Sequence, residues 1–548
     1  MVNKQVKLKI LKLITIAFNG KKPVKRIIIV LIMLSLTGCS LYQRTPPIFI
    51  PPVGYTLTPV SANPDASPTQ SPAEASPATP TAEFNPTPTV FIAPTETLVP
   101  TPNVEREPIV YHAQAGDTLS VVATHFGVGK DQIQSNVELP QISFINPGTL
   151  LVIPQVLINT TSGAHLLPDS EFVYSRAITD SDFPADVVSF VKQAGGYLSV
   201  KRDYDHTVLT NGGEIVKQIA QNNSINPFLL LALLEYQSHW VFGQPQNLAQ
   251  LKYPLGHIDY DDVGLVHQLR WAVNQLSIGY YGWREGRLTE ILITDSQRSS
   301  NDITARIEPS LNAGTVALQY YFSQIYESDE WILALDDDTG FVTTYEEMFG
   351  SPENRTQYEP LFSHNLVQPQ LELPFTLGTV WNYTGGPHGA WEREGSWSAI
   401  DFAPSGFKGE CSQSYAYVTA SAPGLVVRAE NGVVTINLDY NDNEHSGWVL
   451  LYLHIATDGR LVNAGDEVNT GDKLGHPSCE GGISTGTHVH MTRKYNGEWM
   501  TADGPIPFVL SGWTVHNGVS AYKGSLSHAT EGVVTASSFS APGSQIKR

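Results

Sequence analysis

The stretch Ser484-Thr485-Gly486-Thr487-His488-Val489-His490 restricts the fold more than any other in the chain. It reads as a strand entered from a glycine-bearing turn. Residues i and i+2 of a strand point to the same face, so His488 and His490 look into one site. A second strand is expected beside it: Trp448 to Leu453 is apolar and β-prone, and His454 ends the run. Two further stretches carry related chemistry, Gly385-Gly386-Pro387-His388-Gly389 and Ala399-Ile400-Asp401-Phe402-Ala403-Pro404. The chain is thus organised around Gly385 to His490, and there around His388, Asp401, His454, His488 and His490. Neutral imidazoles with one carboxylate make an open zinc site that keeps a fourth position for water. The residues by themselves leave open which three of the five bind the metal.

A His-x-His pair with a histidine and an aspartate upstream resembles the lysostaphin-type zinc metallopeptidases, and within them the β-lytic branch. In the commoner branch the first histidine lies four residues before the aspartate. Here that position is Trp397, which cannot bind zinc, whereas His388 stands thirteen residues before Asp401. That longer gap is the one of the β-lytic branch. The resemblance spans Leu371 to Leu526, including Gly512-Trp513-Thr514-Val515 and Ala521-Tyr522-Lys523-Gly524. It implies an antiparallel β-rich peptidase domain over 371–526, zinc as cofactor and His388, Asp401 and His490 as ligands. It also implies His454 and His488 as the catalytic histidines. Zinc lowers the pKa of its bound water to about 7 and polarises a scissile carbonyl. One histidine can then relay the proton to the leaving amine and the other can hold the developing oxyanion. The residues do not divide those two roles.

The rest of the chain sets the context. Its 548 residues suffice for three or more domains. With 53 acidic and 33 basic residues the formal charge is −20, which argues against nucleic acid as a partner and against bulk attraction to an acidic wall. Residues 1–39 read as an export signal. Eight lysines and arginines and no acids precede the apolar run Ile27 to Leu36, which is short for a membrane-spanning helix. Leu36-Thr37-Gly38-Cys39 resembles a bacterial lipobox, which implies lipidation of Cys39 and membrane anchoring outside the cytoplasm, in the cell envelope. Cleavage there removes all eight positive charges and takes the charge from −20 to −28. Residues 40–108 are rich in Pro, Thr, Ser and Ala, cannot bury a core, and read as an extended linker.

Residues 109–155 resemble a LysM domain. The signature is Tyr111-His112-Ala113-Gln114-Ala115-Gly116-Asp117-Thr118-Leu119-Ser120, closed by Asn146-Pro147-Gly148-Thr149-Leu150-Leu151-Val152-Ile153-Pro154. The expected order is strand, helix, helix, strand, with Asp117 or Thr118 capping the first helix. The resemblance implies binding of N-acetylglucosamine-containing glycan. Residues 165–365 are expected to be mainly helical, with helices from Asn226-Pro227-Phe228 through Trp240, at Val263 to Tyr281 and at Ala313 to Tyr326. Leu231 to Ser238 and Leu311-Asn312-Ala313-Gly314 weakly resemble the lysozyme-like fold of lytic transglycosylases. There a glutamate precedes the serine as general acid; here Gln237 does, and Glu235 is two residues back, on another helix face. A spacer or glycan-binding module is expected, not a glycosidase.

Once Cys39 is lipidated, Cys411 and Cys479 remain, and outside the cytoplasm an even pair reads as a disulfide that braces the loop before His488. Residues 527–548 are expected to be a flexible tail. The whole is a multidomain α+β chain with peptidoglycan as substrate, cut in its stem peptides or cross-bridges. The alternatives are an inactive wall-binding or activator protein, a glycosidase through Glu235, and a protease for secreted proteins.

Overall fold

The computed structural model describes residues 106–548, apart from 180–182, 185, 206–207, 296–301, 353, 356–359, 364, 407–409 and 540. Cys39, the export signal and most of the linker lie outside the described residues. No helix among the described residues is long and apolar enough to cross a membrane.

In the first region β1 (Ile109–His112) pairs antiparallel with β3 (Leu150–Ile153), whose other edge takes β2 (Gln134–Ser135). Helix Leu119–Phe126 packs on this sheet through Leu119, Val122 and Phe126. Thr118 is its N-cap, with Oγ1 accepting from the Val121 amide. Asp117 instead accepts from the Tyr111 hydroxyl and the Gln114 amide. The expected second helix is a single 3₁₀ turn, Lys130–Gln132, followed by β2. The physical reason is local. Ser135 Oγ donates to Leu150 O and accepts from the Val137 amide, an alternative to helical bonding, and Pro140 disfavours helix in the residue before it.

The middle region is mainly helical as expected. Helix Pro227–Ser238 starts with Pro227 in its first turn and Asn226 Oδ1 accepting from the Phe228 amide. Helices Gly212–Asn223 and Phe341–Phe349 pack against it, and Leu265–Arg284 packs against Ala313–Ser323 and Gly212–Asn223. Two hairpins interrupt the helices, β4 (Arg202–Asp205) with β5 (Val208–Asn211) and β6 (Glu290–Thr294) with β7 (Asp302–Arg306).

The third region is antiparallel. Its main strands are β8 (Val380–Gly389), β9 (Trp397–Pro404), β11 (Gly424–Glu430), β12 (Val433–Asn437), β13 (Trp448–Leu453), β14 (Glu467–Val468), β16 (Val489–Tyr495) and β22 (Gln545–Lys547). They run in the order β14-β11-β12-β13-β16-β9-β8-β22, with β17 (Glu498–Trp499) paired to β16. A short ribbon of β10 (Val418–Thr419) with β15 (Lys473–Gly475) and a four-stranded sheet of β18 (Val509–Leu510), β19 (Trp513–Asn517), β20 (Gly524–His528) and β21 (Gly532–Thr535) complete it. Residues 527–548 are therefore not a loose tail. β21 pairs with β20, and β22 pairs with β8, burying Ile546 opposite Trp381.

All six residues of β13 are buried because both faces of the sheet are covered. Leu450 and Tyr452 face a core shared with Phe402, Val489 and Met491. Leu451 and Leu453 face the other way, into the core of the helical region. That seam also carries buried polar contacts. Arg284 pairs with Asp169 and Glu498, and its Nη1 donates to Ala115 O. Trp499 Nε1 donates to Asn223 O, and Arg428 Nη1 donates to Asn222 Oδ1. The three regions thus share interior.

One seam contact gives a pH prediction. His125 is buried, stacked on Trp283 with ring centroids 3.5 Å apart, and its Nε2 lies 3.0 Å from Trp283 O. Burial lowers its pKa to about 3, against the opposing hydrogen bond to Trp283. The folded state thus stays neutral while the unfolded chain takes a proton below about 6.5. Stability contributed by this group is present above that value and is lost as pH falls from about 6.5 towards 3. Between pH 6.5 and 5 the loss is about 2 kcal/mol. His125→Phe keeps a stacked ring without the titration, so urea midpoints at pH 7 and 5 should differ less in the variant than in wild type. Equal differences would refute this role.

Candidate metal centre

The register of three strands brings the site together. On β9 and β16, Asp401 lies directly opposite His490; on β13, Leu453 lies opposite His490, so His454 follows at the strand end. Gly385 pairs with Asp401 across β8 and β9. A Cβ at Gly385 would sit 2.3 Å from Asp401 Oδ2, so this close approach needs glycine. Bulges in β8 after Gly385 turn His388 into the same space. His454 adopts φ 66°, a left-handed conformation that a non-glycine residue holds only when its surroundings enforce it. His488 precedes β16 and bridges to Ser478.

Each of the four histidines has one ring nitrogen against a backbone carbonyl. His388 Nδ1 lies 2.8 Å from Gly386 O, and His490 Nε2 lies 2.9 Å from Ala390 O. His454 Nδ1 lies 2.9 Å from Glu480 O, and His488 Nδ1 lies 2.6 Å from Gly486 O. A carbonyl only accepts, so those nitrogens carry the N–H and the other nitrogen of each neutral ring carries a lone pair. The lone-pair nitrogens His388 Nε2 and His490 Nδ1 stand 3.0 Å apart. They lie 3.4 Å and 3.2 Å from Asp401 Oδ1. That buried oxygen has no hydrogen-bond donor of its own. His488 Nε2 borders the cluster, 3.6 Å from the same oxygen. The His454 ring lies 4.5 Å from that of His488 and 6.1 Å from that of His490, centroid to centroid.

Electron pairs converging without a proton among them need a cation. Arms of about 2.0–2.1 Å at tetrahedral angles separate ligand atoms by roughly 3.3–3.4 Å. The spacings 3.0, 3.2 and 3.4 Å fit that arrangement. His388, Asp401 and His490 are the described residues whose ligand atoms cluster closely enough for a metal ion. The carboxylate and the imidazoles also act on one another's ionisation. Asp401 is held well below the usual carboxylate range: burial opposes this, and the His388 and His488 charges outweigh it. Burial lowers His388, but the Asp401 carboxylate outweighs it and holds the imidazole above its ordinary value. Burial lowers His490, partly offset by Asp401, and lowers His454 to about 3, aided by His488 and His490.

All five residues expected from the sequence therefore meet in one place. Cys411 and Cys479 form a disulfide, with Cα atoms 5.7 Å apart. Glu235 is elsewhere, and its Oε2 accepts from the Val241 and Phe242 amides at 2.9 Å each. Gln237 Oε1 accepts from the Tyr326 hydroxyl. Sequence reasoning missed the role of Tyr522, whose ring stacks on His388 at 4.1 Å, and of the carbonyls of Ala390 and Glu480. Tyr522 lies in a stretch the sequence singled out, but no local pattern says which distant side chain it meets. Backbone carbonyls leave no trace in residue identity.

Comparison with known proteins finds relatives of the helical and the peptidase regions. Residues 165–363 match the family described as LasA, N-terminal domain. Protease LasA of Pseudomonas aeruginosa (strain UCBPP-PA14) is 29% identical over 357 residues, covering 62% of this chain and 75% of that protein. Beta-lytic metalloendopeptidase of Achromobacter lyticus is 27% identical over 159 residues, covering 28% of this chain and 39% of that protein. Among solved structures, the M23 metalloprotease pseudoalterin from the deep sea is 25% identical with a TM-score of 0.26, covering 31% of this chain and 96% of that one. The alignment with Protease LasA extends well beyond the length of the helical match. With the His/Asp/His cluster behind that likeness, the chain is a zinc metalloendopeptidase, similar to Protease LasA over most of its described length.

Proposed function

We propose that the chain is a surface-anchored peptidoglycan hydrolase that cuts peptide bonds of stem peptides or cross-bridges, with His388, Asp401 and His490 holding zinc. The observation that carries this is the convergence of lone pairs on the buried, donor-free Asp401 Oδ1. Zinc, when bound, supplies Lewis acidity and a water acidic enough to attack at neutral pH. The chain supplies the proton chemistry. His454 and His488 each keep Nδ1–H on a carbonyl and present Nε2 as an acceptor. One takes the proton of the attacking water on Nε2 and passes it to the leaving amine; the other takes a proton from solvent on Nε2 and donates that N–H to the oxyanion. Tyr522 packs His388 in place from the outside.

Residues 109–155 serve as a LysM-type glycan-binding module, supported by their signature and by the β1-β3-β2 sheet under one helix. The Leu36-Thr37-Gly38-Cys39 stretch supports a lipid anchor on Cys39 in the cell envelope. The helical region does not cleave glycan. A transglycosylase needs a free carboxylic acid, and Glu235 is committed to two backbone amides while Gln237 has none.

Purified sacculi test these statements together. The protein should pellet with sacculi at raised salt and release new amine termini, and a chelator should stop release without stopping pelleting. New reducing ends or anhydro sugars, lost in Glu235→Gln, would overturn the non-glycosidase reading. Release that survives chelation would overturn the zinc reading.

A further inference from the structure

We propose that Asn274 and Arg287, in the helical region, are positioning residues for the metal centre: they pin the β8–β9 loop whose Ala390 carbonyl orients His490. The inference rests on His490 being a zinc ligand. The loop spans 390–396, between the strand of His388 and the strand of Asp401. At its start Ala390 is buried, and its carbonyl faces His490 Nε2 at 2.9 Å. This contact puts the proton on Nε2 and leaves Nδ1 for the metal. Outer-shell contacts of this kind fix the tautomer and ring angle of a ligand.

On its far side the loop meets helix Leu265–Arg284 and the turn after it. Asn274 Oδ1 accepts from the Glu394 amide at 3.2 Å, and Arg287 Nη2 donates to Gly395 O at 3.0 Å. The Arg287 guanidinium also lies over the Trp397 ring, 5.7 Å from its centroid. Trp391 and Ala390 pack into the helical core. Gly395 completes the fit. Its φ is +98°, and a Cβ there would meet Ser277 Cβ at 2.8 Å, so only glycine lets the loop lie this close to the helix. Asn274 and Ser277 on the helix and Arg287 in the turn after it thus meet the loop, and the loop connects to a ligand. The region matching the LasA N-terminal domain acts on the metal through this loop, not only as a spacer.

The test uses the full chain and chelator competition for zinc. Asn274→Ala with Arg287→Ala should weaken zinc affinity by about 10–100-fold, as loss of outer-shell partners does. Gly395→Ala, which lifts the loop without removing a donor, should do the same. Arg287→Lys keeps one donor and should recover part of the affinity. Thr179→Ala removes a hydroxyl that accepts from Asn443 across the same seam, away from the loop, and should leave affinity unchanged. Co²⁺ absorption of the double variant should shift, reporting changed ligand geometry. Wild-type protein that holds no zinc would overturn the metal reading itself. Wild type that holds zinc, with the double variant and Gly395→Ala equally tight, would overturn the positioning role alone. If the double variant fails to fold, Gly395→Ala and Arg287→Lys decide it.

Discussion

His490→Ala should lose zinc and activity together, whereas His454→Ala should keep zinc and lose about 10²–10⁴-fold in kcat. The difference follows from where each ring looks. His490 Nδ1 stands 3.0 Å from His388 Nε2 and 3.2 Å from Asp401 Oδ1, inside the ligand triangle. Removing it leaves two ligands and no closed site. The His454 ring lies 6.1 Å from that of His490, and His454 stands outside the ligand triangle. Burial, with His488 and His490 beside it, lowers its pKa to about 3, so the ring is neutral near pH 7 and Nε2 keeps its lone pair. Metal content by atomic absorption, measured beside kcat on sacculi, separates the two classes. His488→Ala should join His454→Ala. Zinc lost in His454→Ala would reverse the division of ligand and catalyst.

What made this centre legible in the sequence is local. Residues i and i+2 of a strand share a face, so Thr487-His488-Val489-His490 already announces a two-histidine site, and Trp448 to Leu453 announces the strand that delivers His454. The cap at Thr118 and the helix start at Asn226-Pro227 are equally local. What was not legible is set by distance along the chain. Arg284 and Glu498 meet across 214 residues, and Asn274 reaches Glu394 across 120. Nothing in the sequence near either partner names the other. The same holds for the last strand: Gln545–Lys547 has too little apolar character to read as a strand, and only β8 as a template makes it one. The missing second helix of residues 109–155 is the reverse case, in which side-chain bonding at Ser135 overrides a family expectation.

Breaking the Cys411–Cys479 bridge should lower both stability and turnover while leaving zinc in place. The bridge joins residues 68 apart in sequence. By chain entropy a loop of that length contributes about 4 kcal/mol. The local consequence is the sharper one. Beside Cys479, Ser478 N donates to His454 O, and Glu480 O receives His454 Nδ1–H. Beside Cys411, Glu410 O accepts from the Thr487 amide and Ser412 O accepts from Thr487 Oγ1, one residue before His488. The disulfide therefore ties together the two segments that orient the two catalytic histidines. None of these contacts involves His388, Asp401 or His490 directly. Cys411→Ser with Cys479→Ser should lower the urea midpoint, and the unfolding free energy taken from it should fall by an amount near the entropic figure. It should also cut kcat by about 10-fold or more, since the carbonyl fixing the His454 tautomer is no longer held. Metal content should stay at the wild-type level. A lower midpoint with unchanged kcat would leave the bridge a purely structural clamp; an unchanged midpoint would remove its stabilising role; loss of zinc would show that the loop before His488 supports the ligands as well.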